Sequence, residues 1–400
     1  MLKNITNSPR FIFWIIVVVF VAVCIETDVY IPSFPNMLIY FQTTESVLSW
    51  VLSINFLGMC IASAIIGPLS DHYGRKPVLQ YGFALFALSS LGCYFSTTIE
   101  ALLIFRFLQG VSASTGFVVG QSIVFDIYDQ EEAGKAFGSL NSLVTFVMAG
   151  APIIGGIINR YYGFHANFLL IAISAFIGFC GILLIPETNK NIQRNLNLKS
   201  ILKSYKMIMT NQVAMINVSI LWLAYTAYMI YVAYLSLVFM EHLKMDPKIY
   251  DYYQGAILLV FAFFSWFAAR IIDYVGFEKT FSIGILLGLV GVSGLFLIGQ
   301  LLPANYNLIT LFMSLFVAGF ALSCIKFYTN FMSCFSEATG AAAAFGNILR
   351  FLLTSVFISI TGYFFNGPVT VVTNMMFLLI VVCMGLFVLL VLRGKRLSSS

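Results

Sequence analysis

Twelve apolar stretches, each about as long as a bilayer-spanning helix, occupy most of this 400-residue chain. The hydrocarbon core of a bilayer is about 30 Å thick, and crossing it as a helix takes roughly 20 apolar residues. Because no water is available there, each segment must satisfy its own backbone hydrogen bonds, as a helix does. The sequence therefore predicts an all-α, polytopic membrane protein. Its twelve predicted transmembrane helices are residues 12–35, 47–69, 78–97, 100–125, 137–158, 166–186, 212–239, 252–272, 280–300, 307–333, 341–365 and 371–392.

The composition excludes a soluble protein of the usual kind. Hydrophobic residues make up 60% of the chain and charged residues 9%, whereas about a quarter of the residues in an average soluble domain are charged. The seven cysteines lie in or at the ends of predicted spans without paired spacing, and the three histidines fall in three separate loops. The sequence therefore predicts no metal site and no bound cofactor.

Lysine and arginine are distributed unevenly between the predicted loops. With both termini in the cytoplasm, fifteen of the 21 basic residues lie on the cytoplasmic side, three lie outside and three lie within spans. The positive-inside rule favours this orientation. The net charge of +5 then reflects membrane topology, and no nucleic-acid partner is predicted. We expect a multi-pass protein of a bacterial inner membrane with both termini in the cytoplasm.

One long polar connection, residues 187–211, divides six spans from six. The predicted organisation is an N-terminal half (1–186), a cytoplasmic linker (187–211) with a helix lying on the membrane face, and a C-terminal half (212–400). The sequence DHYG at 71–74 closes the second span, and DYVG at 273–276 closes the eighth. Many secondary transporters are built from internal repeats, so we expect two pseudo-symmetric halves.

Only two of the 16 acidic residues, Glu26 and Asp28, lie well inside a predicted span. A carboxylate there usually marks a proton pathway or a ligand site, although a structural hydrogen bond can also neutralise it. Two residues apart, the pair point about 200° apart on a helix and cannot face one cavity equally. We favour Asp28 because Pro32 and Pro35 kink the helix beside it. Arg106, at a similar depth in the fourth span, is its expected partner.

Four short motifs resemble those of a known family. The sequence GPLSDHYGRKP at 67–77 resembles the loop motif of the major facilitator superfamily, and DVYIPSFP at 28–35 resembles the first-helix motif of its bicyclomycin-resistance type of drug:proton antiporters. RFLQG at 106–110 is similar to the fourth-helix motif, and GAPIIGG at 150–156 to the fifth-helix motif associated with antiporters. The resemblance implies alternating access between two six-helix halves, with an acid on the first helix as the proton carrier.

The loop motif also has a physical rationale of its own. Asp71 can cap the N-terminus of a neighbouring helix, while Gly67 and Gly74 allow close helix packing and a tight turn. Arg75 can reach Asp126 at the cytoplasmic end of the fourth span. We interpret these residues as a latch that stabilises one conformation; the alternative is a solvated charged turn that only maintains topology.

The fifth-helix motif combines small residues with a proline. Gly150, Gly155 and Gly156 permit close approach of a neighbouring backbone, and Pro152 bends the helix. We therefore expect this stretch to pack tightly against another helix.

The second half carries two basic residues within spans, Lys326 and Arg350. They shift the expected substrate toward neutral, zwitterionic or anionic molecules, because an arginine in the lipid zone needs an acceptor. Lys326 can instead snorkel to the cytoplasmic surface. The related antiporters commonly have an amide at the position of Arg350, which puts ordinary multidrug export in doubt. The other candidate substrate-binding residues are Gln109, Tyr225, Tyr228, Tyr231 and Asn330.

The chain lacks the sequence features of other energy sources and of enzymes. No phosphate-binding loop of the Gly-x-x-x-x-Gly-Lys-Ser/Thr kind occurs, and no nucleophile motif appears, so energy must come from a gradient and no enzymatic activity is predicted. We expect a monomeric, proton-coupled secondary transporter that exports a small organic compound or drug by antiport. The alternative is a transporter of an anionic metabolite or siderophore-like carboxylate, by import or export. A hypothesis without transport is that the protein is a receptor or a scaffold.

Overall fold

A computed structural model of the chain describes residues 8–189, 198–335 and 339–398. The chain forms two compact units, Met1–Asn197 and Leu198–Ser400. Their boundary falls within the predicted linker. Throughout the described ranges the regular structure is helical.

The N-terminal unit contains six long helices and one short helix in its described part. They are α1 (Pro9–Asp28), α2 (Phe34–Phe41), α3 (Glu45–Tyr73), α4 (Arg75–Tyr94), α5 (Ile99–Ile127), α6 (Gln130–Tyr162) and α7 (His165–Leu184).

The described part of the C-terminal unit begins with a short helix and continues with six long ones. They are α8 (Leu198–Thr210), α9 (Gln212–Ser236), α10 (Pro247–Val275), α11 (Phe277–Leu301), α12 (Tyr306–Ser333), α13 (Thr339–Phe364) and α14 (Val369–Ser398). A π-helical turn, Leu237–His242, continues α9. Helix α8 lies in the predicted linker, and its buried Ile208 packs in a cluster with Ala214 and Phe331.

Ten helical segments of the described residues are long and apolar enough to cross a membrane. The remaining two predicted spans correspond to α4 and α6, which have 20 and 33 residues. At about 1.5 Å per residue, helices of this length also reach across the hydrocarbon core. The all-α architecture with two six-helix halves is thus confirmed.

Many helix starts follow from a polar residue placed just before an apolar run. The side-chain oxygen of such a residue accepts a hydrogen bond from a backbone N–H of the first turn, which has no partner within the helix. Among the described residues, those that cap helices in this way are Ser8, Thr44, Thr98, Asp129, Asn211, Asp246 and Asn305.

The first predicted span lies within one membrane-length segment, Pro9–Phe41, and its helix is interrupted near the two prolines at which the sequence predicts a kink. Helix α1 ends at Asp28, a 3₁₀ turn covers Ile31–Ser33, and α2 follows directly. The break coincides with Pro32 and Pro35, which cannot donate backbone hydrogen bonds to the preceding turn. Asp28 therefore lies at a helix end and not in a helix interior.

The two similar tetrapeptides, 71–74 and 273–276, end in glycines with the same backbone geometry. Gly74 and Gly276 each terminate a 29-residue helix and immediately precede the next, with φ of 98° and 94°. Only glycine adopts such angles without strain. The repeat seen in the sequence is thus a repeat of helix, glycine turn and helix.

Helices α3 and α5 pack at close range in the N-terminal unit. A Cβ atom added to Gly110 would lie 2.0 Å from the Asn55 carbonyl oxygen, and one added to Gly58 would lie 2.4 Å from that of Phe107. Small residues permit this approach between membrane helices. The same close packing joins α11 and α12, where a Cβ on Gly319 would lie 2.3 Å from the Gly288 nitrogen.

Candidate functional site

A fully buried ion pair lies at the centre of the N-terminal unit. Arg106 of α5 donates a hydrogen bond from Nη1 to Oε1 of Glu26 on α1, and both side chains are inaccessible to solvent. The guanidinium also donates from Nη2 to the Tyr30 hydroxyl at 2.7 Å and from Nε to the Val51 carbonyl at 3.0 Å. Each of the three guanidinium nitrogens therefore has a partner. Such satisfaction is what makes a buried charge tolerable.

Amide side chains complete this network. Asn55 donates to Glu26 Oε1 at 2.8 Å and to the Arg106 carbonyl at 3.2 Å. Gln109 accepts from Arg106 Nη1 and donates to Ser90 Oγ at 2.8 Å. Gln109 is completely buried, and these bonds give it a positioning role in the network. The structure does not show Gln109 as part of an open substrate surface.

Asp28 contrasts with its neighbour two residues earlier. Its side chain is 1% exposed, and neither carboxylate oxygen has a hydrogen-bond partner among the described residues. The expected pairing of Arg106 with Asp28 is therefore wrong, because the acid that pairs with Arg106 is Glu26. A carboxylate that is both buried and unpaired is costly in its charged form, so the neutral, protonated acid is the form that this environment tolerates.

The backbone beside Asp28 is fixed by the fifth-helix motif. A Cβ atom on Gly155 would lie 1.7 Å from the Val29 carbonyl oxygen, so α6 touches the chain directly after Asp28. Asn167 of α7 donates to Ser33 Oγ at 2.8 Å and to the Gly155 carbonyl at 3.3 Å. These contacts hold the turn that follows the acid.

The other residues of this motif differ in their surroundings. Gly150 has open space around the position of a Cβ atom, so the tight packing expected there is not found. Pro152 lies within α6, and Gly156 is buried in the same helix. The close approach is thus concentrated at Gly155.

A second charged cluster joins the end of α3 to the end of α5. Arg75 forms salt bridges with Asp71 at 2.5 Å and with Asp126 at 3.2 Å, and it donates to Ser70 Oγ at 2.6 Å. The contact from Arg75 to Asp126 is the one that the sequence predicts. We call Asp71, Arg75 and Asp126 the loop cluster.

Glu187, which was not predicted as a site residue, caps α4. Its two carboxylate oxygens accept from the backbone nitrogens of Arg75 and Lys76 at 2.9 and 3.0 Å, where the helix dipole favours a negative charge. The capping role expected for Asp71 is therefore wrong, since Asp71 pairs with Arg75. A Cβ on Gly67 would only touch Val118 at 3.8 Å, so the tight packing expected at Gly67 is not found either.

In the C-terminal unit, Arg350 of α13 lies among aromatic rings. Nη2 donates to the Tyr225 hydroxyl at 2.6 Å, and the guanidinium carbon is 4.1 Å from the centroid of the Tyr225 ring and 5.3 Å from that of Trp222. Among the described residues no carboxylate forms a salt bridge with Arg350. Its Nε is buried and has no hydrogen-bond partner there.

Of the remaining candidate substrate residues, Tyr228 lies in the aromatic group beside Arg350, since its ring centroid is 6.3 Å from that of Tyr225. Lys326 forms a salt bridge with Glu278 at the start of α11. This contact favours the alternative in which Lys326 extends toward the membrane surface and does not bind substrate. Asn330 donates a hydrogen bond from Nδ2 to Oδ1 of Asn217 at 3.5 Å. Tyr228 stacks on Phe261 with ring centroids 6.2 Å apart, and Tyr231 is buried.

Four residues at these sites were not predicted as site residues: Tyr30, Asn55, Glu187 and Trp222. For Asn55, the available signal is an amide inside an apolar span, because a buried amide needs partners. Tyr30 lies within the first-helix motif, two residues after Asp28. Nothing in the sequence indicates that Glu187 contacts the N-terminus of α4.

Comparisons with known proteins agree with this architecture. The sequence profile of the Major Facilitator Superfamily matches residues 15–358. The multidrug resistance protein MdtM of Escherichia coli (strain K12) is 25% identical over 382 residues, which cover 93% of this chain and 90% of MdtM. The chloramphenicol resistance protein of Pseudomonas aeruginosa is 31% identical over 147 residues, which cover 36% of this chain and 35% of that protein.

A solved structure has the same arrangement of helices. The inward-open conformation of the xylose transporter XylE from E. coli gives a TM-score of 0.73, covering 95% of this chain and 96% of that one. The sequences are 15% identical, so this likeness establishes the fold alone.

Proposed function

Because the chain belongs to the Major Facilitator Superfamily, a family of membrane transporters, we propose that it is a proton-coupled secondary transporter that exports a small organic compound by antiport. The observation that carries this proposal is Asp28, a buried carboxyl without a hydrogen-bond partner among the described residues. The multidrug resistance and chloramphenicol resistance relatives favour a drug or drug-like compound as the substrate. The motif at 28–35 supports the bicyclomycin-resistance type within the family, and the distribution of lysine and arginine supports a bacterial inner membrane with both termini in the cytoplasm.

In this mechanism the two acids of α1 have different tasks. Glu26 compensates the charge of Arg106 and stays ionised in a fixed hydrogen-bond network. Asp28 has no hydrogen-bond partner among the described residues, so its charge is tolerated only when water or a substrate reaches it. It therefore holds a proton while the site is closed and releases the proton when the site is open.

Antiport follows when substrate and proton use the open site in turn. A substrate that binds the state with ionised Asp28 favours release of the proton, and reprotonation favours release of the substrate. The loop cluster then sets the balance between the two access states without touching the substrate.

The test is transport by purified protein in liposomes with an imposed pH gradient. A panel of labelled compounds that includes chloramphenicol is offered, and we expect at least one to accumulate on the acidic side against its concentration gradient. Nigericin, which exchanges protons for potassium and removes the pH gradient, should abolish this accumulation. Accumulation that persists after nigericin would overturn the coupling to protons.

A further inference from the structure

We propose that the C-terminal unit binds the carboxylate group of the substrate through two buried donors, Arg350 Nε and Trp222 Nε1. This inference rests on the proposed transport function and names the class of substrate, an organic acid with an aromatic or other apolar body.

The first observation is an incompletely satisfied guanidinium. Arg350 donates one hydrogen bond, from Nη2 to the Tyr225 hydroxyl at 2.6 Å, while its buried Nε has no partner among the described residues. Aromatic rings surround it: the guanidinium carbon is 4.1 Å from the centroid of Tyr225, 5.3 Å from that of Trp222 and 5.4 Å from that of Phe351. These rings attract a cation but accept no strong hydrogen bond. The geometry leaves the guanidinium without an anionic acceptor.

The second observation is another unmet donor beside the first. Trp222 Nε1 is buried and has no hydrogen-bond partner in the described part of the chain. Its indole belongs to the same cluster, because the Trp222 and Tyr225 rings meet edge to face at 5.9 Å. A Cβ on Gly346, one turn before Arg350 on α13, would lie 3.7 Å from this nitrogen. Trp222 thus faces the part of α13 that carries Arg350.

Leaving buried donors unsatisfied is unfavourable, and native proteins rarely do so without a reason. One ligand group can satisfy both donors if it has two acceptor oxygens in a plane. A carboxylate has this form. Its negative charge balances the positive charge of Arg350, and the two groups make the strong charge-assisted hydrogen bonds of an arginine–carboxylate pair. A cationic ligand would meet a like charge in the same place.

The surroundings favour an apolar body on this acid. Tyr225 and Phe320 have centroids 6.5 Å apart, Phe320 stacks on Phe261 at 6.2 Å, and Phe261 stacks on Tyr228 at 6.2 Å. Tyr228 returns to Tyr225 at 6.3 Å, so four aromatic residues form a closed group next to the guanidinium. Ring faces of this kind suit an aromatic ligand.

Lys326 provides the matched control, because it is a basic residue of the same unit that already has an acid partner. Its ammonium is paired with Glu278 and lies 4.4 Å from the centroid of Phe281. Removing this charge changes the net charge of the unit as much as removing Arg350 does, without removing an unmet donor.

The test is equilibrium binding to purified full-length protein by titration calorimetry, with three probes of one shape: 3-phenylpropionate, 3-phenylpropionamide and 3-phenylpropylamine. We expect the wild type to bind the carboxylate at least tenfold more tightly than the amine. Arg350→Gln should weaken carboxylate binding tenfold or more while changing amide binding less than threefold. Trp222→Phe, which keeps an aromatic ring and removes the N–H, should weaken carboxylate binding about fivefold. Lys326→Gln should change carboxylate binding less than twofold.

A second readout locates the probe. Trp14, Trp50 and Trp266 are 58%, 42% and 47% exposed, so replacing these three by phenylalanine leaves Trp222 as the only tryptophan of the chain. The carboxylate should then shift the emission of Trp222, and the amine should not.

Three results would overturn the carboxylate site: tighter binding of the amine by the wild type, equal weakening of all three probes by Arg350→Gln with no effect of Trp222→Phe, or no binding of the carboxylate by folded wild-type protein. Binding is measured here without a proton gradient. Failure of this site therefore leaves the proton coupling through Asp28 standing, and failure of proton coupling leaves the binding result standing.

Discussion

At the residue scale, Glu26 and Asp28 show how two acids on one helix acquire different chemistry. Glu26 accepts hydrogen bonds from Arg106 and from Asn55, whereas Asp28 has no partner in the described residues. The free energy of a buried charge depends on its partners far more than on its depth. This difference supports the proposal that Glu26 is a structural anion and that Asp28 is the acid that gains and loses a proton.

Replacing each acid by its neutral amide should change the free energy of unfolding by different amounts. Glu26→Gln leaves the Arg106 charge buried without its counter-ion, so it should lower the free energy of unfolding by about 3 kcal/mol or more. Asp28→Asn removes a carboxyl for which the described part of the chain provides no hydrogen-bond partner, so its effect should stay within about 1 kcal/mol. Thermal unfolding of both variants in detergent measures the difference. Equal destabilisation would contradict the assignment.

The sequence predicts which residues are buried here better than it predicts which of them meet. Arg106 and both acids are recognisable as charges inside apolar spans, and all three are buried. Choosing the partner of Arg106 fails because two residues change the depth by only about 3 Å, and depth alone does not show which side of α1 faces α5. Arg350 is recognisable in the same way, but the unmet donor of Trp222 is a property of the packed structure.

At the scale of helices, the fifth-helix motif places one tight contact beside Asp28, the proposed proton carrier. Gly155 meets the Val29 carbonyl group, whereas Gly150 on the same helix has free space. The composition of the motif predicts close packing, but it does not predict which glycine provides it. That depends on the position of the partner backbone, which here is the turn after Asp28.

Replacing each glycine by alanine should reveal this difference. In Gly155→Ala the new methyl group collides with a backbone oxygen that cannot rotate away, so we expect a loss of about 1–3 kcal/mol of stability and impaired transport. Gly150→Ala should be neutral or slightly stabilising, because alanine favours a helix over glycine by about 1 kcal/mol. Thermal unfolding and transport assays on the pair give the comparison. The packing described would be contradicted if Gly155→Ala changed stability and transport little while Gly150→Ala lowered both.

At the scale of the whole molecule, the chain has two compact units and a helix–glycine–helix junction that occurs once in each, and internal repeats of this kind are common in secondary transporters. The twelve spans and the division into two halves follow from hydropathy, because backbone hydrogen bonding in lipid leaves little choice. The contacts of the loop cluster follow only in part. Arg75 reaches Asp126 as predicted, but Glu187 replaces Asp71 as the cap of α4 because the chain after α7 returns to that helix end.

The loop cluster should control the rate of conformational exchange. Asp71→Asn breaks a partly exposed salt bridge of about 1 kcal/mol, which corresponds to about a fivefold change in a two-state balance. Turnover should therefore change several-fold while substrate affinity stays within about twofold. Lys244→Gln, which breaks the exposed pair with Glu241, is the control and should change neither. A large loss of affinity with unchanged turnover would contradict the latch.

The most direct test of the account is proton movement in liposomes that contain purified protein and a luminal pH dye. Addition of a transported substrate should change the luminal pH for the wild type and for Asp273→Asn, the control at the exposed end of α10. Asp28→Asn should still exchange labelled for unlabelled substrate, without any change in luminal pH. A substrate-dependent pH change of wild-type size in Asp28→Asn would contradict the claim that Asp28 carries the proton.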